Sequence, residues 1–278
     1  MRKYSEKIMA IITWAAAILT AGVLVYIIGY ILYKGLPYIK PSLFAFDYNS
    51  ENVSLMPALI STVIMTLLSL LIAVPLGVFS AIFLTEYSKR GNKFVKLVRI
   101  TAETLSGIPS IVYGLFGMLF FVTFLGWGFS VLAGAFTLSI MILPLILRSS
   151  EEALQSVPDS WREGSFGLGA GRLRTVFKIV LPAASPGVFA GIILAVGRVV
   201  GETAALIYTA GTVAQVPGTP LASARTLAVH MYALSGEGLH IGEGYATAVV
   251  LLVLVIGINA LSAFAAKKLL KGKTGKKA

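Results

Sequence analysis

Two residues inside an apolar stretch carry the plainest chemical signal in this chain. In "GRVVGETAAL", Arg198 and Glu202 stand four positions apart, a spacing that puts both on one face of a helix and within reach of each other. An ionisable group near the middle of a bilayer costs about 2.5–3.5 kcal/mol on insertion scales, so the pair must answer a need. Two needs fit. The residues can lock their helix to its neighbours as an ion pair. Alternatively, Arg198 can offer its planar fork to a passing oxyanion, with Glu202 holding the guanidinium and keeping the anion from binding too tightly to leave. No nucleophilic triad, carboxylate dyad or metal-ligating cluster stands out elsewhere. His230 and His240, ten residues apart, read as solvated loop positions, and the lack of cysteine excludes disulfides and thiolate metal sites.

The elements that must position this pair are apolar helices. The chain is 57% hydrophobic and 13% charged, with a mean hydropathy of +0.87, where a soluble domain carries about 25% charged residues. A helix needs about 20 apolar residues to cross a bilayer. Stretches free of charge, at 8–33, 52–85, 104–147, 179–197 and 244–266, mark six spans, placed at 8–33, 57–85, 102–125, 129–147, 185–208 and 244–266, with the long run 104–147 folding back near Gly126-Trp127-Gly128. The first run is too long for the apolar core of a signal peptide and is expected to be a retained span. The expected fold is an all-α integral membrane domain of six helices covering 1–278. Pro109 should kink the third span, Gly107, Gly114 and Gly117 should let helices approach closely, and Glu103 should pair locally with Arg99.

Charge sets the expected orientation. Of 23 basic residues, 19 fall at the N-terminus, in 86–99, in 148–178 or after Ala266, while Lys34, Lys40 and Arg225 lie opposite and Arg198 is within a span. Positive loops stay cytoplasmic. Both termini and the loop 148–184 are therefore expected inside, and 34–56 and 209–243 in the periplasm. The net charge of +11 reflects topology, not a nucleic-acid partner. In the second outer loop, Leu227, Met231 and Leu234 form a short helical stripe.

The inner loop "SWREGSFGLGAGRLRTVFKIVLP" is unusual among such apolar neighbours. Ser160 and Glu163 have capping-box spacing, and Gly167, Gly169 and Gly171 suit a helix end and a turn. Leu173, Val176, Phe177, Val180 and Leu181 then form one helical stripe, expected to stop at Pro182. Such a hairpin can rest on anionic lipid or press into a groove on a cytoplasmic partner. Its glycines do not make a dinucleotide fingerprint, because Arg172 stands at the third glycine position, and Lys267 stands where a P-loop ending at Thr274 would need its first glycine.

Glu163, Gly169, Ile179, Leu181 and Pro182 match E-A-A-x3-G-x9-I-x-L-P, the loop signature of permease subunits in bacterial ABC importers, with Gly164 and Ser165 in place of the two alanines. The chain is identified by this resemblance with the MetI-like permease family. The resemblance implies that Glu163 to Pro182 form coupling helices docking into an ATPase. "GIPSIVYGLFG" and "GRVVGETAAL" further resemble the phosphate-specific permeases. That likeness implies a homologous second permease (PstC-like), an ATPase dimer (PstB-like) holding ATP and Mg, and a periplasmic phosphate-binding protein (PstS-like). It also implies inorganic phosphate as cargo, a bacterial inner membrane, no cofactor and no catalytic activity on this chain, and Arg198 and Glu202 on the passage. From chemistry alone the cargo is an anion. Sulfate, molybdate or phosphonate permeases, a secondary transporter and a non-transporting scaffold remain alternatives.

Overall fold

The computed structural model describes residues 2–89 and 91–274; Arg90, Lys276 and Lys277, counted above among the basic positions, lie outside them. Among the described residues every regular element is helical. Helix α1 (Arg2–Gly35) leads through short turns at Leu36–Tyr38 and Pro41–Phe44 to α2 (Met56–Ile82), which ends in a wider, π-wound turn, Phe83–Tyr87. Then come α3 (Lys93–Ser106) and α4 (Ser110–Gly117), the latter prolonged by a π-wound stretch, Met118–Phe124. Helix α5 (Val131–Gln155), α6 (Asp159–Gly167) and α7 (Arg172–Thr175) follow, and α7 runs through π-wound Val176–Val180 into α8 (Leu181–Val200). The chain closes with α9 (Ala204–Ile207), α10 (Leu227–Glu237) and α11 (Ile241–Thr274).

Local sequence explains the ends. Pro57 sits in the first turn of α2, where a missing N–H is harmless. Asn92 and Ser130 cap α3 and α5, accepting from the N–H of Phe94 and Ala133. Five stretches are long and apolar enough to cross a membrane: Glu6–Tyr38, Met56–Tyr87, Val131–Gln155, Arg172–Val200 and Ile241–Leu261. The pair α3–α4, bent by 101°, makes a sixth if its two halves are counted as one span.

Helix α5 is the axis of the molecule. Met65 of α2, Leu138, Met141, Ile142 and Ile146 of α5 and Leu206 make the main buried cluster. At the basic end, Ala81, Leu154, Val176, Val180 and Ala184 make a second. Helix α1 stands at the flank against α11, where the rings of Tyr30 and Tyr245 meet edge-on at 5.9 Å. Most of α1 is exposed and apolar, as suits a helix bathed in lipid.

Three expected spans are redrawn. The third is not a kinked helix over 102–125 but two helices. Pro109 lacks an N–H and disfavours helical backbone at Ile108, so α3 closes with short-range bonds from Gly107 and Ile108 to Thr104 and Leu105, and α4 restarts at Ser110. The fourth helix runs eight residues past 147. The hairpin helix does not stop at Pro182, which falls in the first turn after the π-wound stretch, but runs on into the fifth span, which stops at Val200, well short of 208.

Candidate functional site

Arg198 lies in the last turn of α8, where a cation complements the negative end of the helix dipole. Its depth follows from packing. Gly187 lies against Ala153 and Gly191 against Ser149; the same antiparallel register places Arg198 level with Ile142, midway along α5. Helix α8 ends just beyond, with Gly201 N–H bonding back to Gly197 O.

The expected Arg198–Glu202 pair on one helical face is therefore not formed. Glu202 follows the helix end, so the four-residue register is lost. Its side chain, 8% exposed, turns forward and accepts from the N–H of Ala205 at 3.1 Å, capping α9. Arg198 is half-buried and has no ion pair among the described residues. Tyr113 of α4 lies within electrostatic reach of it. The Tyr113 hydroxyl donates to Leu105 O at 2.8 Å, adding a second bond to a carbonyl that already accepts from the Ile108 N–H at the end of α3.

Two helix breaks thus meet near mid-depth, one at 107–109 and one at 201–203, with Tyr113 and Arg198 beside them. The irregular backbone after Val200 is covered by protein: Gly114 packs on Ala205, Gly117 on Thr137 and Thr209, and Gly134 on Leu206 and Ala210. Non-helical backbone at membrane depth is tolerated only when so covered or when it lines a polar cavity. Broken helices at the midplane are a recurrent way to build transport sites.

The second group of predicted site residues forms a hairpin at the basic end. Helix α6 starts at Asp159, not at Ser160. Pro158 is the residue before it, so Ser160 and Glu163 lie inside the first turns, exposed, and the capping box is not made. Gly164 has open space around it, whereas Ser165 is buried and shares a 2.8 Å hydrogen bond with Thr175. Gly169 takes φ +81°, a turn conformation that favours glycine.

The stripe Leu173, Val176, Phe177, Val180 and Leu181 is split by the π-wound turn. Val176 and Val180 are buried under α2 and α5, Ile179, Leu181 and Pro182 are half-buried, and Leu173 and Phe177 are exposed. With Trp161, Phe166 and Leu168 (90% exposed), they leave a bare apolar patch.

Arg162 is the anchor that sequence reasoning missed. Its Nη2 donates to Glu86 Oε1 at 2.7 Å and to Leu154 O, and its Nη1 donates to Val157 O at 2.7 Å. Both side chains are buried, 13% and 7% exposed, and the Glu86 carboxylate raises the guanidinium pKa further. The partners lie 76 residues apart, so no local pattern revealed them. A cavity of about 670 Å³ opens beside this pair, lined by Lys89, Lys96, Arg99 and Arg172 among others. Arg99 bonds Glu151 through Nε at 2.6 Å, and Glu103 faces Arg148 at 3.8 Å, so the expected local Arg99–Glu103 pair gives way to contacts between α3 and α5. At the other end, His230 is fully buried in α10, contrary to a solvated loop position.

Comparisons with known proteins agree with the helical fold. Residues 73–271 match the family described as "Binding-protein-dependent transport system inner membrane component". The chain is 33% identical to the probable ABC transporter permease protein YqgI of Bacillus subtilis, over 93% of this chain and 95% of that one. It is 35% identical to the phosphate transport system permease protein PstA 2 of Mycobacterium tuberculosis, over 75% and 70% respectively. In fold it is similar to chains of the MetNI methionine ABC transporter (TM-score 0.60, 21% identity, 77% of this chain and 94% of that chain). It is also similar to a bacterial alginate ABC transporter (TM-score 0.62, 17% identity, 92% and 96%). The chain belongs to the binding-protein-dependent inner-membrane components, the permease subunits of ABC importers, which are not themselves enzymes and which work with an ATPase and a substrate-binding protein.

Proposed function

We propose that this chain is the PstA-type permease of an inorganic phosphate importer. It would sit with its basic end and both termini in the cytoplasm, beside a PstC-like permease, over a PstB-like ATPase dimer and beneath a PstS-like binding protein. ATP and Mg belong to the ATPase; this chain supplies the path and the coupling. What supports the reading is the convergence of Arg198 with two broken helices at mid-depth, in a chain whose relatives include named phosphate permeases.

The coupling follows from how the hairpin is held. Arg162 ties α6 to the end of α2 through Glu86, and Ser165 ties α6 to α7 through Thr175. Helix α7 is continuous with α8, so Leu173 and Arg198 share one rod, separated by roughly 38 Å at 1.5 Å per residue. Closure of the ATPase dimer displaces the exposed side chains of α7, and the rod carries that displacement to Arg198. Access then alternates as Arg198 meets different neighbours in the two states. Its half-buried guanidinium, unpaired with any carboxylate among the described residues, offers the fork that a tetrahedral oxyanion needs.

The test is ATP-driven uptake of labelled phosphate by vesicles carrying the whole complex. Arg198→Ala should cut uptake at least about tenfold, the loss of one charge-assisted contact, and Arg198→Lys should recover only part of it. Normal uptake by Arg198→Lys would count against fork contact. Sulfate competing as well as phosphate would replace the proposed cargo.

A further inference from the structure

We infer that the end opposite the coupling hairpin holds a second oxyanion site, built on Arg225 and the amino terminus of α10. Arg225 is only 5% exposed, yet its Nε and Nη2 are buried without a hydrogen-bond partner, and no carboxylate pairs with it among the described residues. One face of its guanidinium is covered: Tyr48 from the first loop lies with its ring centroid 4.7 Å away. A ring answers the face of the cation and not its edge. Nε and Nη2 form the edge that grips two oxygens of one oxyanion, and a buried charge left uncompensated is strongly destabilising.

The next residue points the same way. Thr226 precedes α10 as its cap residue but makes no capping bond, and its Oγ1 is buried without a partner. The first N–H of this eleven-residue helix, from Leu227, is taken by Thr62 Oγ1 at 2.9 Å, and the first turn closes with His230 N–H on Thr226 O. By position, the N–H groups of Ala228 and Val229 have no acceptor within the helix. Leu227, Ala228 and Val229 are all buried, so solvent does not supply one. A buried, uncapped helix start is an anion-binding arrangement.

One turn along, His230 is wholly buried, with the Val53 backbone as the polar group in reach of its ring, and the ring stands edge-on to Tyr48 at 6.1 Å. The unsatisfied groups are thus a cationic edge, a hydroxyl and helix-end amides, with the imidazole beside them. Such a set fits a small tetrahedral oxyanion. That the anion is phosphate, met before it reaches Arg198, rests on the function proposed above.

The test uses the permease–ATPase complex without its binding protein, with inorganic phosphate as the probe and sulfate and chloride at equal ionic strength as comparison arms. Phosphate should raise the thermal midpoint of this chain in the wild type. Arg225→Ala should weaken that effect at least about tenfold in half-saturating concentration, and Thr226→Val should weaken it several-fold. Lys40→Ala, which removes an exposed cation outside this set of groups, should keep it. Should Arg225→Ala fail to fold, Thr226→Val carries the test. Stabilisation unchanged in both variants, or no anion effect in the wild type, overturns the site and leaves the proposed function standing. Stabilisation by sulfate and not phosphate keeps the site and overturns the proposed cargo.

Discussion

Arg162 decides where the hairpin of α6 and α7 sits. Its fork closes on Glu86 while its remaining donors reach two carbonyls at the end of α5, so a single side chain joins α2, α5 and α6. Removing one member of a buried pair costs about 3–5 kcal/mol because the other charge is stranded. Arg162→Ala should therefore lower the stability of the purified protein by roughly 3 kcal/mol, read by thermal unfolding. Arg162→Met combined with Glu86→Leu should recover most of that loss, since neither charge remains. His230 gives a second expectation. Burial, helped by the Arg225 charge, pushes its pKa down to about 3. A histidine that is neutral when folded takes up a proton only on unfolding, so the unfolded chain binds more protons between about pH 6.5 and 3, and stability falls as pH drops through that window. The loss should reach about 2–3 kcal/mol at pH 4.5, at about 1.4 kcal/mol per unit. His230→Leu should flatten the dependence of the unfolding midpoint between pH 7 and 4.5.

At the scale of elements, what could be read in the sequence was what depends on long apolar runs. The helices came through because a stretch such as 131–147 has no other way to satisfy its backbone in lipid. The breaks did not. Pro109 announces a kink, but a 101° turn needs α3 to find partners of its own, and these are Val95 packing on Leu84 and Leu147. The ion pair expected between Arg198 and Glu202 assumed a continuous helix, yet Gly201 ends it, and nothing at positions 198–202 separates the two outcomes without the packing of 204–210. The π-wound turn at 176–180 likewise follows from burial of Val176 and Val180, and it splits a stripe that looks continuous in sequence. Where α5 and α8 cross, the register is set by size. A β-carbon at Gly191 would fall 1.8 Å from Ser149 Oγ, with no room to shift because α5 is packed on its other side. Gly191→Ala should destabilise the protein by about 1–3 kcal/mol, the usual cost of overpacking. Ser149→Gly in the same chain should restore most of it, and unfolding midpoints of the two single variants and the double variant measure the compensation.

For the whole molecule, the question is what covers the bare patch made by Trp161, Phe166, Leu168, Leu173 and Phe177. Lipid already has the apolar sides of α1, α2 and α4, and those faces carry no charge along most of their length. The hairpin differs: Arg172, Arg174, Lys178 and Glu163 are exposed around its apolar side chains. Large apolar anchors inside a charged rim are the anatomy of a protein interface. On the function proposed above that partner is the ATPase, which must pull on something rigid. The hairpin qualifies, since the Ser165–Thr175 bond and the Arg162–Glu86 pair hold it from within and leave the patch free. A charge placed there should break the complex without unfolding the chain. Leu168→Glu is the cleanest choice, because its side chain is 90% exposed and contributes little to the fold. Leu168→Glu and Leu173→Glu should each weaken association with the ATPase at least about tenfold, the scale of an interface anchor, while the unfolding midpoint stays within a degree or two. Leu239→Glu, exposed at the opposite end, should leave association intact. Co-purification of normal amounts of ATPase with both hairpin variants, together with normal uptake, would mean that the patch rests on the bilayer and that the rod from Leu173 to Arg198 is driven from somewhere else.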